Sequence, residues 1–141
     1  MEFSELFTQL LIDLQSVFRK KNKHLPISFS QVVLLVSIPT DGITMSDLAK
    51  KVGVDNSTLT RLIQIMEKKD IIHKKRNKND HRSTLIYLST IGVDNVKLIE
   101  ANVDKFTKKI LHNISNVDQV ALKNDLNSLH WGITKFKLLD K

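Results

Sequence analysis

Residues 55–68 read DNSTLTRLIQIMEK, and they contain the most chemically suggestive face in the chain. Leu59, Leu62, Ile63 and Met66 recur at three- and four-residue spacing, as they do on a helix with one apolar side. At about 100° per residue, Ser57, Thr60, Arg61, Gln64 and Lys68 share the opposite side, and Asn56 and Thr58 complete the first turn. That face carries hydroxyls, an amide and cations, and no acid. A solvated helix ordinarily mixes signs there. Short hydroxyls, an amide and an arginine near a helix N-terminus are the groups that read base edges in a major groove. Taken alone, the face fits a plain polar surface better; the residues after it reverse the balance.

Ile71-Ile72-His73 runs into Lys74, Lys75 and Arg76, followed by Asn77-Lys78-Asn79-Asp80-His81-Arg82. Thr84 to Leu88 is rich in β-branched and aromatic residues and predicts a strand. Two strands joined by an Asn/Asp-rich polar segment predict a hairpin, here with a strongly basic tip suited to phosphate. Lys74, Lys75 and Lys78 are the candidate phosphate contacts, with Arg76 and Arg82 beside them.

These groups need a scaffold, and the flanking residues predict one. Thr44 is placed to cap a short helix whose apolar face is Leu48, Ala49 and Val52. Asp47 suits that helix's positive end, and Gly53 supplies its stop. Asp55 then sits where an N-cap belongs, able to accept from the free amides of Ser57 or Thr58. Helix, turn, helix and basic hairpin together make a winged helix–turn–helix. Upstream, Phe3, Leu6, Phe7, Leu10, Leu11, Leu14, Val17 and Phe18 predict a helix with a wide apolar stripe. It ends in the cationic run Arg19 to His24, read as a solvated C-terminal turn. Ser28 with Gln31 reads as a capping box for a buried helix that closes before Pro39.

Beyond the hairpin, Val96, Ile99, Val103, Phe106 and Ile110 predict a long helix. Ser115 with Asp118 marks the start of a last one. In that last helix Leu122, Leu126, Leu129, Ile133 and Phe136 form one seam, expected to pack on the chain's own helices. Val117, Val120, Trp131 and Leu138 lie on roughly the opposite face, which requires another surface. With the over-wide first helix, this predicts a homodimer built from both termini.

The order and spacing of these pieces resemble the multiple-antibiotic-resistance regulator (MarR) family of bacterial transcription factors. The likeness rests on Leu48-Ala49, Ser57-Thr58-Leu59-Thr60-Arg61-Leu62 and Met66-Glu67-Lys68-Lys69. It continues through Asp80-x-Arg82 and Leu88-Ser89-x-x-Gly92 and extends over nearly the whole chain. The resemblance implies a mainly α fold with a small two- or three-stranded wing sheet. It implies residues 1–141 as one domain, with 1–38 and 90–141 serving dimerisation and 39–89 binding DNA. It makes Arg82 the minor-groove candidate and gives Asp80 the task of holding nearby basic side chains. It further implies a repressor acting on double-stranded DNA at an inverted repeat, and a small, often aromatic effector for which no residue pattern marks a pocket. One departure is that the family usually has glycine where Asp70 ends the second helix; aspartate tolerates the left-handed conformation better than most residues. The alternative reading is a winged module that binds protein and not specific DNA.

Composition narrows the rest. The 141 residues carry a net charge of +7, with 41% hydrophobic and 26% charged side chains, a balance that fits a folded soluble domain. Residues 44–90 hold ten basic and five acidic side chains, a net +5, so most of the excess lies on the proposed reading segment. Of four arginines, Arg61, Arg76 and Arg82 fall there, and arginine is the better partner for guanine, phosphate or a narrow groove. The absence of cysteine excludes disulfides, thiol redox sensing and cysteine zinc ligands. Four glycines, at 42, 53, 92 and 132, allow no phosphate-cradling loop, and no Gly-x-Ser-x-Gly elbow occurs. An enzyme, a cofactor and a metal site are therefore not expected. Nor is a signal peptide or a membrane span, and a cytoplasmic location is.

Overall fold

The computed structural model describes residues 1–114 and 116–140. In chain order the elements are α1 (Phe3–Asn22), α2 (Phe29–Val36), β1 (Ile43–Thr44), α3 (Met45–Val52) and α4 (Asn56–Lys68). They continue as β2 (Ile72–Arg76), β3 (Thr84–Leu88), α5 (Thr90–His112) and α6 (Gln119–Leu139). The strands form one antiparallel sheet in the order β1-β3-β2. The fold is mainly helical with a small winged sheet, as the residue pattern predicts. The chain forms two compact units, Met1–Asp104 and a second that begins at Lys105.

Within the first unit the helix ends are closed by the side chains expected to close them. Ser28 and Gln31 form a reciprocal capping box on α2. The Thr44 hydroxyl accepts from the Asp47 amide at 3.1 Å. Gly53 ends α3 in the left-handed region at φ 74°. Asp70 adopts φ 54° after α4, so a residue with a Cβ occupies the left-handed position there. Glu2 and Glu5 add a capping box on α1 that residue spacing did not single out. The two-residue strand β1 was also not foreseen, because two residues carry no alternation to read; its register is Ile43 against Ile86 and Thr44 against Leu85.

The core of this unit is built from Leu34, Leu35, Leu48, Leu59, Ile63, Met66, Ile86 and Ile99, all essentially inaccessible. Ile71 and Ile72 bring the start of β2 into the same cluster. The buried amide of Asn22 donates to the Phe18 carbonyl and accepts from Asn102, which fastens the end of α1 to α5 without an unsatisfied polar atom.

The junction between α4, β2 and α5 is tighter still. The Ser89 backbone N–H donates to the Ile71 carbonyl at 3.0 Å. Its hydroxyl lies 2.5 Å from the Asp70 carbonyl and 2.9 Å from that of Ile71, and accepts from the Gly92 amide at 3.1 Å. Ser89 thus caps α5 while holding the turn that follows α4. A Cβ on Gly92 would sit 2.2 Å from the Ile71 carbonyl oxygen, so the backbones meet only because residue 92 is glycine.

In the second unit Asp118 is the N-cap of α6, accepting from Val120 and Ala121. Ser115, read as the start of this helix, lies outside the described residues. No described residue of α6 is buried; Leu122 of the Leu122-to-Phe136 seam is half-buried, and Val120, Trp131 and Leu138 of the other face are exposed.

Replacing Gly92 by alanine should cost about 1–3 kcal/mol, because a backbone carbonyl cannot swing aside as a side chain can. Ser89→Ala should cost about 0.5–2 kcal/mol. Chemical denaturation reads both, and a Gly92→Ala protein that unfolds at the parental midpoint would refute the close approach.

Candidate nucleic-acid interface

The apolar side of α4 is anchored by Leu59, Ile63 and Met66, each fully buried. That anchorage leaves Asn56, Ser57, Thr60, Arg61, Gln64 and Lys68 exposed together on the outer side, as the helical spacing predicts. Thr58 is half-buried. Asp55 caps the helix: its Oδ1 accepts from the Thr58 amide at 2.7 Å and from the Ser57 hydroxyl at 2.8 Å. The Thr58 amide first, then the hydroxyls of Ser57 and Thr58, hold the Asp55 carboxyl below the usual carboxylate range. Thr60 donates its hydroxyl to the Asn56 carbonyl at 2.7 Å. The side chains of Arg61, Gln64 and Lys68 hold no partner among the described residues and stand free toward solvent.

The wing is the β2–β3 hairpin, registered from Ile72 against Leu88 to Arg76 against Thr84. Its tip is organised by backbone and amide bonds and not by charge. Asn77 bonds Ser83 through both backbone and side chain and accepts from the Asn79 amide. Asp80 Oδ1 accepts from the Arg82 backbone N–H at 3.0 Å. Asp80 therefore shapes the turn through Oδ1. The basic side chain that the resemblance gives it to hold is not within ion-pair distance of it among the described residues, and its second oxygen stays open to one.

The basic residues separate into two groups. Lys74 lies 3.7 Å from Glu67 at the end of α4, and Lys75 sits 5.2 Å above the Tyr87 ring. Both are partly engaged within the protein. Arg76, Lys78 and the Arg82 guanidinium are exposed and have no partner among the described residues. His73, opposite Tyr87 in the register, stacks on that ring at 5.5 Å and 9°. The Tyr87 ring in turn lies over Gly42, where a Cβ would come within 2.7 Å of it. Glu67 and Tyr87 were missed at the level of sequence, since each acts across a strand or helix boundary that spacing along one element does not reveal.

Among the described residues no group of His, Asp or Glu is placed to hold a metal ion. No described helix is long and apolar enough to cross a membrane. The arrangement is an exposed row of hydroxyls, an amide and cations on α4, bordered by Glu67, beside a basic hairpin, a combination that suits a polyanion.

Comparison with known proteins agrees with this geometry. The MarR family model matches residues 27–84. An uncharacterised helix–turn–helix-type transcriptional regulator of Bacillus subtilis, YdgJ, is 31% identical over 111 residues, spanning 73% of this chain and 68% of its own length. The crystal structure of the transcriptional regulator SlyA superposes with a TM-score of 0.80 at 19% identity, covering 100% of both chains. A cysteine-to-serine mutant of MarR from E. coli, solved with operator DNA, superposes at 0.72 with 22% identity, covering 94% of this chain and 91% of that one. The last two likenesses concern the fold.

The Asp55 cap yields a pH signature. Its carboxyl is depressed in the fold, so the stabilisation it provides is present above the unfolded carboxylate value and is lost as pH falls through the folded one. Compared with Asp55→Asn, the parent should melt at the higher temperature at neutral pH, and that lead should begin to shrink near about pH 4 and vanish only once pH has fallen below the depressed folded value. A lead that is constant from pH 7 down to acid would show that the cap does not depend on charge.

Proposed function

This chain belongs to the MarR family of DNA-binding transcriptional regulators and is not an enzyme, and we propose that it acts in the cytoplasm as a homodimeric repressor of an inverted-repeat operator, released by a small-molecule effector. The observation that carries the DNA reading is the exposed row of Ser57, Thr60, Arg61, Gln64 and Lys68 on α4, which holds no acid; Glu67 borders that row between Asn56 and Thr60 and is paired with Lys74. On this reading Arg61 and Gln64 meet bases, with Ser57 and Thr60 beside them and Asn56, Thr58 and Lys68 at the margins. Lys74, Lys75, Arg76 and Lys78 meet phosphate, and Arg82 enters the minor groove, on a turn that Asp80 shapes. A module that binds only protein would not need cations concentrated on this face.

Support for the homodimer comes from apolar surface left open on one chain. In α1, Phe3 is 78% exposed, and Leu6, Phe7, Leu10, Leu11 and Leu14 are exposed below it. In α6, Trp131 is 65% and Leu138 73% exposed. A monomer in water does not leave whole helical stripes of this kind uncovered. One α4 reads too few base pairs to find a site among genomic competitors, whereas a two-fold pair spans successive grooves roughly 34–36 Å apart. For the effector, a cleft of about 420 Å³ runs between α1 and α2, lined by Phe18, Arg19, Lys23 and Phe29. Aromatic walls with two cations suit an aromatic anion, and the Arg19 guanidinium already lies 4.9 Å above Phe29. The crystal structure of E. coli MarR with operator DNA makes duplex DNA the natural first partner to test.

Selection from random duplexes should return an inverted repeat with half-sites about 10 base pairs apart. Arg61→Ala should cost roughly 1–3 kcal/mol on that site and relax the preference at one position. Equal loss on selected and random DNA would demote Arg61 to a phosphate contact. Trp131→Glu combined with Leu138→Glu should give a monomer by sedimentation and abolish operator binding. A double mutant that stays dimeric and still binds would remove that seam from the interface, and a monomeric parent would defeat the mechanism.

A further inference from the structure

The first turn of α4 carries a hydrogen-bond polarity that its sequence does not reveal. Ser57 Oγ lies 2.8 Å from Asp55 Oδ1, and Thr60 Oγ1 lies 2.7 Å from the Asn56 carbonyl oxygen. Neither acceptor has a proton to give: one is a carboxylate and the other a peptide carbonyl. Each hydroxyl must therefore be the donor, and a hydroxyl has only one proton. What Ser57 and Thr60 present outward is lone pairs, together with the Thr60 methyl group. Both residues are exposed, so this surface is what an approaching ligand meets.

That polarity argues against phosphate as their partner. Phosphate oxygens accept and do not donate, so two acceptor-only hydroxyls have nothing to exchange with them. Asp55 also places a full negative charge at the helix N-terminus, where an anion would otherwise be drawn. In the major groove, by contrast, the exocyclic amino groups of adenine and cytosine are donors, and thymine exposes a methyl group. Guanine offers two acceptors on that edge, which would oppose the Ser57 lone pairs.

We propose that the first turn of α4 reads bases as an acceptor-plus-methyl surface, with Ser57 accepting from the amino group of adenine or cytosine and Thr60 packing its methyl against thymine. Asp55 is the positioning residue: it touches no base, and it fixes which way the Ser57 proton points. The inference rests on the DNA-reading role of α4 proposed above and adds the base chemistry of that role. Donation to guanine falls instead to Arg61 and Gln64, one turn further along.

The test is selection of random duplex libraries by the full-length protein and its variants, followed by affinity measurements on the selected site. Thr60→Val keeps the methyl and loses the hydroxyl, and should keep the preference for thymine at the position Thr60 meets. Thr60→Ser keeps the hydroxyl and loses the methyl, and should lose preference for thymine at one position of each half-site. Replacing that thymine by uracil should weaken the parent and Thr60→Val by about fourfold per half-site while leaving Thr60→Ser unchanged. Asp55→Ala frees the Ser57 proton, and should reduce discrimination against guanine at the neighbouring position by about tenfold. Asp55→Asn retains an acceptor oxygen for Ser57 and should keep that discrimination, which separates loss of polarity from loss of charge. Thr60→Ser that retains its thymine, or Asp55→Ala that still rejects guanine, would overturn the proposal while leaving DNA reading by α4 in place. Should Asp55→Ala fail to fold, the Thr60 and uracil series decides alone. A parent that enriches no motif would overturn the DNA-reading role itself, and this inference with it.

Discussion

The Ser89 hydroxyl, set between the carbonyls just past α4 and the amides that begin α5, is the contact on which the winged unit depends. A helix leaves its last carbonyls and its first N–H groups without intrahelical partners. At the end of α4 the carbonyls of Ile65, Met66 and Glu67 are met by the N–H groups of Lys69, Ile71 and Asp70. Ser89 then ties that turn to α5, its hydroxyl lying against the Asp70 and Ile71 carbonyls and accepting from the Gly92 amide. The approach is possible only because Gly92 has no side chain to strike the Ile71 carbonyl. Two consequences follow. The turn after α4 cannot shift without disturbing the cap of α5, and β2, which starts at Ile72, leaves the joint in a fixed direction. The relative placing of α4 and the wing is thereby set by a few hydrogen bonds.

Much of this was legible in the residues because caps are local. Thr44, the Ser28–Gln31 pair, Gly53 and Asp55 each announce a helix end within four positions of the groups they satisfy, and the structure places them there. Asp70 was legible for the same reason, since only a few residue types accept the left-handed region it occupies. What stayed hidden depends on contacts across elements. The Glu67–Lys74 pair joins a helix to a strand, and the stack of His73 on Tyr87 depends on the hairpin register. Asp80 illustrates a different difficulty. A carboxylate in a basic loop suggests ion pairing, yet the turn's own amide is nearer than any cation and claims it first. In α6 the periodicity located the apolar seams correctly but could not say what would cover them, because a stripe is the same whether its partner is intramolecular or not.

The charges of the interface are likewise sorted by what the protein has already used. Lys69 reaches back to the Pro26 carbonyl and Lys51 to that of Ser37, so both serve the scaffold although both lie in the basic stretch. Lys74 and Lys75 are held by Glu67 and Tyr87. The first of these is an exposed pair, worth little in itself and easily exchanged for a phosphate. The net +5 of residues 44–90 therefore overstates what is immediately available. The cations of the segment left without a partner among the described residues are Lys50, Arg61, Lys68, Arg76, Lys78 and Arg82, and three of these six are its arginines.

An acid-free face on α4 would seem to conflict with helix stability, because the positive end of the macrodipole favours negative charge in the first turn. The structure resolves the conflict by position. No acid occurs in the first turn of α4. The negative charge sits one residue earlier, on Asp55, where it is both cap and counter-charge and lies outside the row from Ser57 to Lys68. Lys68 in the last turn meets the opposite end of the dipole while remaining on the outer face. The helix thus keeps its electrostatic support at both ends and leaves the row between them to hydroxyls, an amide and a guanidinium. Because Asp55 holds the Ser57 hydroxyl as well, the same carboxylate that stabilises the helix also decides the polarity of the first group on its outer face. On the proposed reading stability and recognition meet at that residue, so a substitution there is expected to alter both, whereas one at Arg61 or Gln64 breaks no hydrogen bond, ion pair or ring contact among the described residues.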